Sequence, residues 1–367
     1  MVIKMILTNA FDPDPRVYKE AKALVEEGHE VEIICWDRDK RYFNKDLEVI
    51  DKIKVKRFFP EGSYGKGPQQ IIGYIKFISM VRQYLKNKEF HIIHAHDIDG
   101  ALVGVLTKKN KKLIWDMHEF FDGFNYSNFR KFVYNIIAKI CFRNSNGIIF
   151  VSDSQHKRYS EYIDLNKTVT ETMMNCPESK IFNDFKRIKS NKLRISFIGS
   201  VREVDTLKLL MDVGENFKNV KVYIHGTGVA YNELKALEDN YENTVITGKF
   251  EYQNIKELYE SSDVIYSVYD SRQLNVREAF PVKGFESIVT GTPIIASENT
   301  FFGDFLVNNN IGFVIDETDF IDLENLMKKI LSNTEILKEK SQNTKKFVHN
   351  FSWETQSEKL IEFYKLL

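Results

Sequence analysis

The sequence has no excess of charge of either sign. Lysine plus arginine equals aspartate plus glutamate, 52 against 52, in a chain of 367 residues. A balanced chain has no net field that would attract nucleic acid, so any basic patch has to be local. With 43% hydrophobic and 28% charged residues, the composition is that of an ordinary globular protein.

Cysteine is scarce, and long apolar runs are missing. Cys35, Cys141 and Cys176 form neither a metal-binding nor a redox motif, which indicates buried thiols in a reducing compartment. No apolar run is long enough to cross a bilayer. Polar "DPDPR" also follows "MVIKMILTNA" before any stretch reaches the length of a secretory signal. We therefore expect a cytoplasmic protein, with peripheral membrane association left open.

Short β-branched runs alternate with helical patterns along almost the whole chain. "VIKMILT" predicts a strand, and "DPRVYKEAKALVEEGH" predicts a helix that stops at Gly28. Further strands are predicted at "EVEIICW", "IKVKRFF", "FHIIHAH", "KLIWDMH" and "NGIIFVS", and a second series begins at "LRISFIGS". This alternation favours an α/β fold in which parallel, doubly wound sheets are covered on both faces.

The two series predict two Rossmann-like domains of ordinary size. We assign residues 1–180 to an N-terminal acceptor domain and residues 190–350 to a C-terminal nucleotide-sugar donor domain. Residues 351–367 are expected to form a helix that packs back on the first domain, and residues 178–192 to form the linker. In open α/β sheets, ligands bind outside the carboxyl ends of the strands. The expected ligand site is therefore a cleft bounded by both sheets.

The first strand is not followed by the G-x-G-x-x-G pattern, which counts against a dinucleotide dehydrogenase. A more informative stretch is "REAFPVKGFESIVTGTPIIAS", beginning at Arg277. Pro281 suits the first turn of a helix, because its missing N–H would be unpaired there in any case. The stretch predicts a helix over residues 282–290, ended by Gly291 and followed by a strand.

This stretch suits a nucleoside diphosphate linked to a sugar. The N–H groups and positive dipole end of the helix favour a diphosphate, and Lys283 adds a charge. Glu286, about one turn inside the helix, can accept ribose hydroxyls. Glu278, in the loop before the helix, can reach a sugar hydroxyl. The alternative is a surface helix with a Lys–Glu pair that contributes about 0.2–0.5 kcal/mol.

The order of these segments resembles that of retaining glycosyltransferases of the GT-B fold, and it is most similar to glycosyltransferase family four. In that family two glutamates separated by seven residues bracket the donor, and a glycine–x–proline follows, as from Glu278 to Pro293 here. "DPRVYKEAKALVEEGHEVEII", "HIIHAHD", "FIGSVRE", "YIHGTG", "KELYESSDVIYSVY" and "FSWE" resemble other segments of the family. The resemblance covers nearly the whole chain.

The resemblance implies roles for residues of the donor domain. Glu286 is expected to hold the donor ribose, and Glu278 to contact the transferred sugar. Many relatives have a glycine-rich turn after the first glutamate, whereas "AFPVK" stands here. Asp205 and Thr206 also occupy the usual place of a phosphate-binding lysine, so Lys283 is expected to supply that charge. The remaining predicted donor contacts are Arg202, Gly199, Gly226 and Gly228.

In the first domain, His118 in "IWDMHEFFDG" resembles the family's active-site histidine, and a loop histidine bonded to Glu119 is the alternative. His96 and Asp97 are expected to line the acceptor side, or to cap a helix that begins near Asp99. Arg16 is expected at the cleft edge, where a phosphate or an acidic acceptor could be held.

A zinc ion shared by His94, His96 and His118 is conceivable. No fourth ligand is evident from the sequence, and GT-B enzymes generally need no bound metal. We therefore expect no metal and no other cofactor.

The implied reaction moves a hexose from a nucleotide diphosphate sugar to an acceptor hydroxyl with retention of configuration, as in polysaccharide biosynthesis. The acceptor class stays open among glycans, glycolipids and small molecules. The alternatives are a GT-B sugar-nucleotide epimerase and a non-catalytic nucleotide-sugar binding protein. A glycoside hydrolase is disfavoured, because Glu278 and Glu286 do not suggest a pair flanking one bond. Residues 128–144 combine apolar and basic residues and are a candidate for peripheral membrane contact.

Overall fold

The computed structural model describes residues 1–12, 14–62, 68–123 and 126–367. It divides into two compact units: the first contains Met1–Asn175 together with Gln356–Leu367, and the second contains Cys176–Thr355. Each unit contains one sheet of mainly parallel strands with connecting helices, which confirms the doubly wound α/β prediction. The three cysteines are buried, as expected.

The first unit begins with alternating strands and helices. Its elements are β1 (Val2–Leu7), α1 (Pro15–Glu26), β2 (Glu30–Trp36), β3 (Leu47–Ile50), β4 (Ile53–Phe58), α2 (Pro68–Leu85), β5 (Ile92–His96), α3 (Asp97–Thr107), β6 (Lys112–Met117), α4 (Asn128–Asn144), β7 (Gly147–Phe150), α5 (Asp153–Tyr159) and β8 (Val169–Thr172). The strand order is β3-β4-β2-β1-β5-β6-β7-β8. β3 pairs antiparallel with β4 at one edge, and the other pairs are parallel.

Local sequence explains how α1 begins and ends. Asp14 caps the helix by accepting from the N–H groups of Arg16 and Val17, and Pro15 is its first residue. The helix ends at Glu26, and Gly28 has φ 84°, a backbone region that favours glycine. The predicted stop at Gly28 is therefore confirmed.

The direction of the connections places three helices on one face of the first sheet. The chain runs from β4 through α2 to β5, through α3 to β6, and through α4 to β7, always in the same direction across the sheet. Because such crossovers are right-handed, α2, α3 and α4 share a face. The connection from β1 to β2 runs in the opposite direction, which puts α1 on the other face.

The second unit repeats the alternation. Its elements, with the closing helix, are β9 (Leu193–Ile198), α6 (Val204–Glu215), β10 (Val220–His225), α7 (Tyr231–Leu237), β11 (Thr244–Gly248), α8 (Ile255–Glu260), β12 (Val264–Ser267), α9 (Leu274–Arg277), α10 (Val282–Thr290), β13 (Ile294–Ser297), α11 (Phe301–Asn309), β14 (Gly312–Ile315), α12 (Phe320–Ser332), α13 (Glu335–Thr344) and α14 (Trp353–Leu366). The strand order is β11-β10-β9-β12-β13-β14, and every pair is parallel. The chain reverses its direction across the sheet between β9 and β12, which is where such sheets bind ligands.

Residues 178–192 and the end of the closing helix α14 can each be assigned to one unit. Residues 178–192, predicted as the linker, are held to the second unit: Phe182 is buried, and Arg187 donates to the carbonyl oxygen of Gly291 at 3.1 Å. Gln356–Leu367 of α14 belongs to the first unit. There the Tyr364 hydroxyl lies 2.9 Å from His94 Nδ1, and Gln356 Oε1 accepts from the N–H of Met174. Within the described ranges, no helix is both long and apolar enough to span a membrane.

Candidate functional site

In the second unit, three glycines let the loops after β9 and β10 touch backbone to backbone. Gly199 and Gly226 have φ 141° and 132°, and the Gly199 N–H donates to the His225 carbonyl oxygen at 2.9 Å. A Cβ on Gly226 would lie 1.8 Å from the Gly199 oxygen, and one on Gly228 would lie 2.2 Å from the oxygen of Val201. These glycines are therefore required for the close packing of two loops at the carboxyl edge of the sheet.

Lys283, the second residue of α10, lies beside this pair of loops. An added Cβ on Gly199 would lie only 3.2 Å from Lys283 Nζ. The ammonium group is 3.9 Å from the centre of the Phe197 ring and donates to the Tyr269 hydroxyl. Burial lowers the pKa of Lys283 to about 7, against the opposing effect of Glu286, and the charge of Arg202 lowers it further. The buried lysine is therefore harder to protonate than a lysine in water.

Glu286 lies one turn further along α10 and is 3% exposed. The hydroxyl of Tyr259 donates to its Oε2 at 2.8 Å, and the hydroxyl of Tyr252 donates to its Oε1 at 3.1 Å. Each carboxylate oxygen has two lone pairs, and a tyrosine hydroxyl engages one on each oxygen. The two tyrosines fix the orientation of the carboxylate.

Aromatic packing holds α10 in place. The rings of Phe280 and Phe285 stack with centroids 4.3 Å apart, and Phe302 lies 4.6 Å from Phe280. A Cβ on Gly284 would come within 2.6 Å of the Phe302 ring. The predicted helix bounds are confirmed, although Pro281 occupies the cap position rather than the first turn. Pro281 makes no side-chain capping bond, and its carbonyl oxygen accepts from the Gly284 N–H at 2.8 Å. The N–H groups of Val282 and Lys283 precede that bond, at the helix end that favours an anion.

The other predicted donor residues lie on neighbouring loops of the same unit. Glu278 directly follows α9, in the loop before α10, where its side chain is 32% exposed and 3.3 Å from Arg277. Arg202 is exposed in the loop between β9 and α6. The adjacent Glu203 accepts from the Asp270 N–H and the Gln273 side chain, each at 3.0 Å, and so ties this loop to the one after β12.

In the first unit, His118 lies between two carboxylates. Its Nε2 is 3.0 Å from Asp116 Oδ2, and its Nδ1 is 3.7 Å from Asp97 Oδ2. Burial lowers the pKa of His118, but Asp97 and Asp116 outweigh that effect and raise it to about 10. The imidazole is therefore held as a cation whose Nδ1 side adjoins a half-exposed carboxylate.

Arg16 lies beneath this histidine rather than at an open edge. Its guanidinium donates to both oxygens of Asp116, at 2.8 and 3.0 Å, and to the carbonyl oxygen of Met173. Glu20 lies 3.0 Å from its Nε. Burial raises the pKa of Asp116, but Arg16 and His118 outweigh that effect and hold it well below its usual range. The role of Arg16 at the acceptor stays a prediction, because these buried carboxylates already engage it.

The neighbouring histidines show why a metal was considered. Glu20, His94, His96 and Asp116 are all buried, and one ligand atom of each lies within 4.8 Å of the others. No sequence pattern indicated Glu20 and Asp116 as companions of His94 and His96. Arg16 already supplies positive charge to both carboxylates. This ion pairing supports the expectation of a metal-free cluster, which stays untested.

The two residues predicted for the acceptor side differ in exposure. His96 is 3% exposed, whereas Asp97 is half-exposed, has φ 58° and is the first residue of α3. The alternative that these residues cap a helix near Asp99 is wrong in detail, because α3 begins at Asp97 and His96 makes no side-chain capping bond. Asp97 instead accepts from the His118 N–H at 3.3 Å.

The predicted residues thus form one group in each unit. Gly199, Gly226 and Gly228 lie on the paired loops after β9 and β10, beside Lys283 and Glu286 of α10, and His96 and Asp97 lie beside the His118 imidazole. Sequence reasoning missed the tyrosines that position the charged groups, namely Tyr252, Tyr259 and Tyr269, and it missed Glu20 and Asp116. "KELYESSD" and "IWDMHE" contain two of these residues but do not reveal their partners.

Comparisons with known proteins match both units. Residues 179–347 match the family described as glycosyl transferases group 1, and residues 16–172 match glycosyltransferase family 4. A Methanocaldococcus jannaschii protein described as an uncharacterized glycosyltransferase is 22% identical over 153 residues, or 41% of this chain. That match spans only 40% of the relative's length.

Solved structures match the chain over its full length. Sucrose-phosphate synthase from Thermosynechococcus elongatus has a TM-score of 0.81 at 14% identity, covering 100% of this chain and 98% of the other. HepE from Anabaena, solved in complex with UDP, has a TM-score of 0.75 at 13% identity and full coverage of both chains. A glycosyltransferase from Rickettsia africae has a TM-score of 0.69 at 19% identity, covering 99% and 98%. These likenesses show the GT-B fold.

Proposed function

Because this chain belongs to the GT-B glycosyltransferases of group 1, we propose that it transfers a hexose from a nucleoside diphosphate sugar to an acceptor hydroxyl with retention of configuration. The observation that supports this best is the position of Lys283. Its ammonium group lies at the uncapped start of α10, beside the Gly199 loop and one turn before Glu286. A diphosphate at the helix start would leave the ribose within reach of Glu286.

Transfer of the sugar requires stabilisation of the negative charge that develops on the departing diphosphate. Lys283, Arg202 and the N–H groups of α10 would supply it, and a charge developing in a water-poor site is stabilised strongly by such fixed donors. The cationic His118 would contact the donor sugar and orient groups at the reacting centre. The leaving phosphate itself would accept the proton of the acceptor hydroxyl on the same face. No metal is required in this scheme.

The acceptor is a glycan, a glycolipid or a small molecule. Peripheral contact of residues 128–144 with a membrane is part of the proposal, and a lipid-linked acceptor would then be met at the bilayer surface. The retaining outcome is proposed from the family resemblance.

Nucleoside diphosphates are expected to stabilise the second unit against thermal unfolding. A ligand at one hundred times its dissociation constant stabilises a fold by about 2.7 kcal/mol. UDP is the first candidate, because HepE was solved with it, and GDP and ADP are the comparisons. One nucleotide should stabilise wild type, and Glu286→Ala should lose that stabilisation because the ribose loses its carboxylate. The same shift is expected in the presence of EDTA.

The control is Glu335→Ala, which removes a glutamate of the same unit whose side chain is 69% exposed. It should keep the full ligand-induced shift. Each variant is compared with its own unliganded form, so that a change in intrinsic stability does not count. The proposed donor site is wrong if none of the three nucleotides stabilises wild type, or if Glu286→Ala responds as wild type does.

A further inference from the structure

Helices α2 and α4 lie on the same face of the first sheet as α3. Both pack on α3, which itself packs on β5 and β6. The hydroxyl of Tyr74 on α2 donates to the Asp99 carbonyl oxygen at 2.5 Å. Burial and the Asp99 carboxylate together raise the pKa of Tyr134 on α4. Residues of both helices therefore lie near Asp99, in the first turn of α3.

The outward side of this pair exposes large apolar side chains. Phe129 is 76% exposed and Phe132 is 62% exposed on α4, and Ile71 is 61% exposed on α2. The other exposed apolar residues of the two helices are Ile72, Ile75, Met80, Ile136 and Ile140. We call the exposed residues of α2 and α4 the α2/α4 face. Eight exposed large apolar side chains on two helices of one face are more than the scattered exposure of an ordinary surface, and they indicate an interaction site.

The charges of the α2/α4 face have a single sign. Neither Pro68–Leu85 nor Asn128–Asn144 contains an aspartate or glutamate, although the chain as a whole is balanced at 52 against 52. Exposed cations lie on both helices: Lys76, Arg82, Arg130, Lys131, Lys139 and Arg143. None of these six forms an ion pair with another residue that the structure describes. Bulky apolar groups interspersed with unpaired cations match the chemistry of an anionic lipid surface.

We propose that the α2/α4 face docks on an anionic bilayer, with its aromatic and aliphatic side chains in the headgroup region and its cations against lipid phosphates. The inference extends the membrane contact predicted for residues 128–144 to a second helix and to a lipid class. It does not depend on the donor site, which lies in the other unit. A second copy of the chain is a poor occupant, since a symmetric contact would place two equally basic surfaces together.

The test is sedimentation of the full chain with vesicles of phosphatidylcholine, with or without phosphatidylglycerol. Wild type should bind the anionic vesicles, and binding should weaken as salt shortens the range of the attraction. Removal of two interfacial charges in Arg130→Ser/Lys131→Ser should weaken binding roughly thirtyfold, the equivalent of about 1 kcal/mol per charge. Phe129→Ser/Phe132→Ser should also lose binding, because it removes the apolar contact.

Matched controls come from the second unit. Val307→Ser/Ile321→Ser removes two exposed apolar residues, and Lys218→Ser removes an exposed lysine. Both should bind vesicles as wild type does, and every variant should keep its nucleotide-induced stabilisation. No binding to anionic vesicles, or equal binding to neutral ones, would overturn the proposal. Concentration-dependent dimerisation that Phe129→Ser/Phe132→Ser abolishes would instead assign the face to self-association.

Discussion

Asp116→Asn is expected to destabilise the first unit by about 3–5 kcal/mol, the cost of removing one partner from a buried ion pair. Asp116 is fully buried, and the Arg16 guanidinium donates to both of its oxygens. An asparagine keeps the size of the side chain but offers one acceptor and no charge. The guanidinium would then stay buried with part of its charge uncompensated.

The measurement is denaturant unfolding followed by far-UV circular dichroism, fitted with two transitions if the units unfold separately. The control is Asp46→Asn, which breaks the ion pair between Asp46 and Lys56. The Asp46 side chain is 61% exposed. Exposed pairs contribute about 0–1 kcal/mol, so this variant should stay close to wild type. Equal effects of the two substitutions would show that the buried network does not stabilise the unit as its geometry indicates.

The same cluster predicts a pH dependence. The pKa of His118 is raised from 6.5 to about 10, so its contribution is fully present below pH 6.5 and is lost as pH rises through 10. Burial also raises the pKa of Glu20, so the stability that this residue contributes is likewise lost as pH rises. The stability of the first unit should therefore fall between about pH 6.5 and 10. Asp116→Asn should flatten this fall, because the imidazolium loses its nearest carboxylate.

The sequence predicted those features that local patterns determine. Alternating strands and helices gave the doubly wound fold, Asp14 and Pro15 gave the start of α1, and "PVKGFESIVTG" gave the bounds of α10. The short edge strands β3, β8 and β14 were missed, because four residues carry little periodicity. Phe182 and Arg187 pack on the second unit through contacts with distant residues, so the predicted linker could not be recognised as part of it.

The sequence predicted several residues of the candidate site but not the side chains that contact them. Lys283 and Glu286 were found because they share one helix. Their tyrosine partners lie 14 to 34 positions away in the chain, and Asp116 lies 100 positions from Arg16. Such pairs depend on how strands are ordered in the sheet, which a single sequence does not specify. Arg16 was accordingly expected at an open edge but lies in a buried network.

The second large effect concerns Lys283→Met, which should weaken nucleoside diphosphate binding about thirtyfold or more near pH 6.5. The loss of one partner from a buried, hydrogen-bonded charge pair costs about 2–5 kcal/mol. Lys283 is 7% exposed and adjoins the Gly199 loop, so it would meet the diphosphate away from bulk water. Methionine keeps the unbranched apolar stem. Calorimetric titration with the nucleotide that stabilises wild type measures the effect, and Lys218→Met, an exposed lysine of the same unit, is the control.

Although Lys283→Met should weaken ligand binding, it should not lower the stability of the unliganded protein. Burial lowers the pKa of Lys283 from 10.5 to about 7, so the folded state disfavours the ammonium ion. Its contribution is fully present above pH 10.5 and is lost as pH falls through 7. Methionine avoids this cost, and Lys283→Met should be as stable as wild type or more stable at pH 6.5. A residue whose removal weakens ligand binding while it stabilises the fold is retained for the ligand.

The affinity of wild type for the diphosphate should fall as pH rises above 7, by up to about tenfold per pH unit, because binding then requires proton uptake by Lys283. A terminal phosphate has a pKa near 6, so above pH 7 the charge of the ligand is nearly constant. Burial lowers the pKa of His225 to about 4, so that histidine is already neutral in this range. Lys283→Met should therefore abolish the slope. A wild-type affinity that does not vary between pH 7 and 9 would mean that the lysine carries its charge before the ligand arrives, and that its burial does not tune binding.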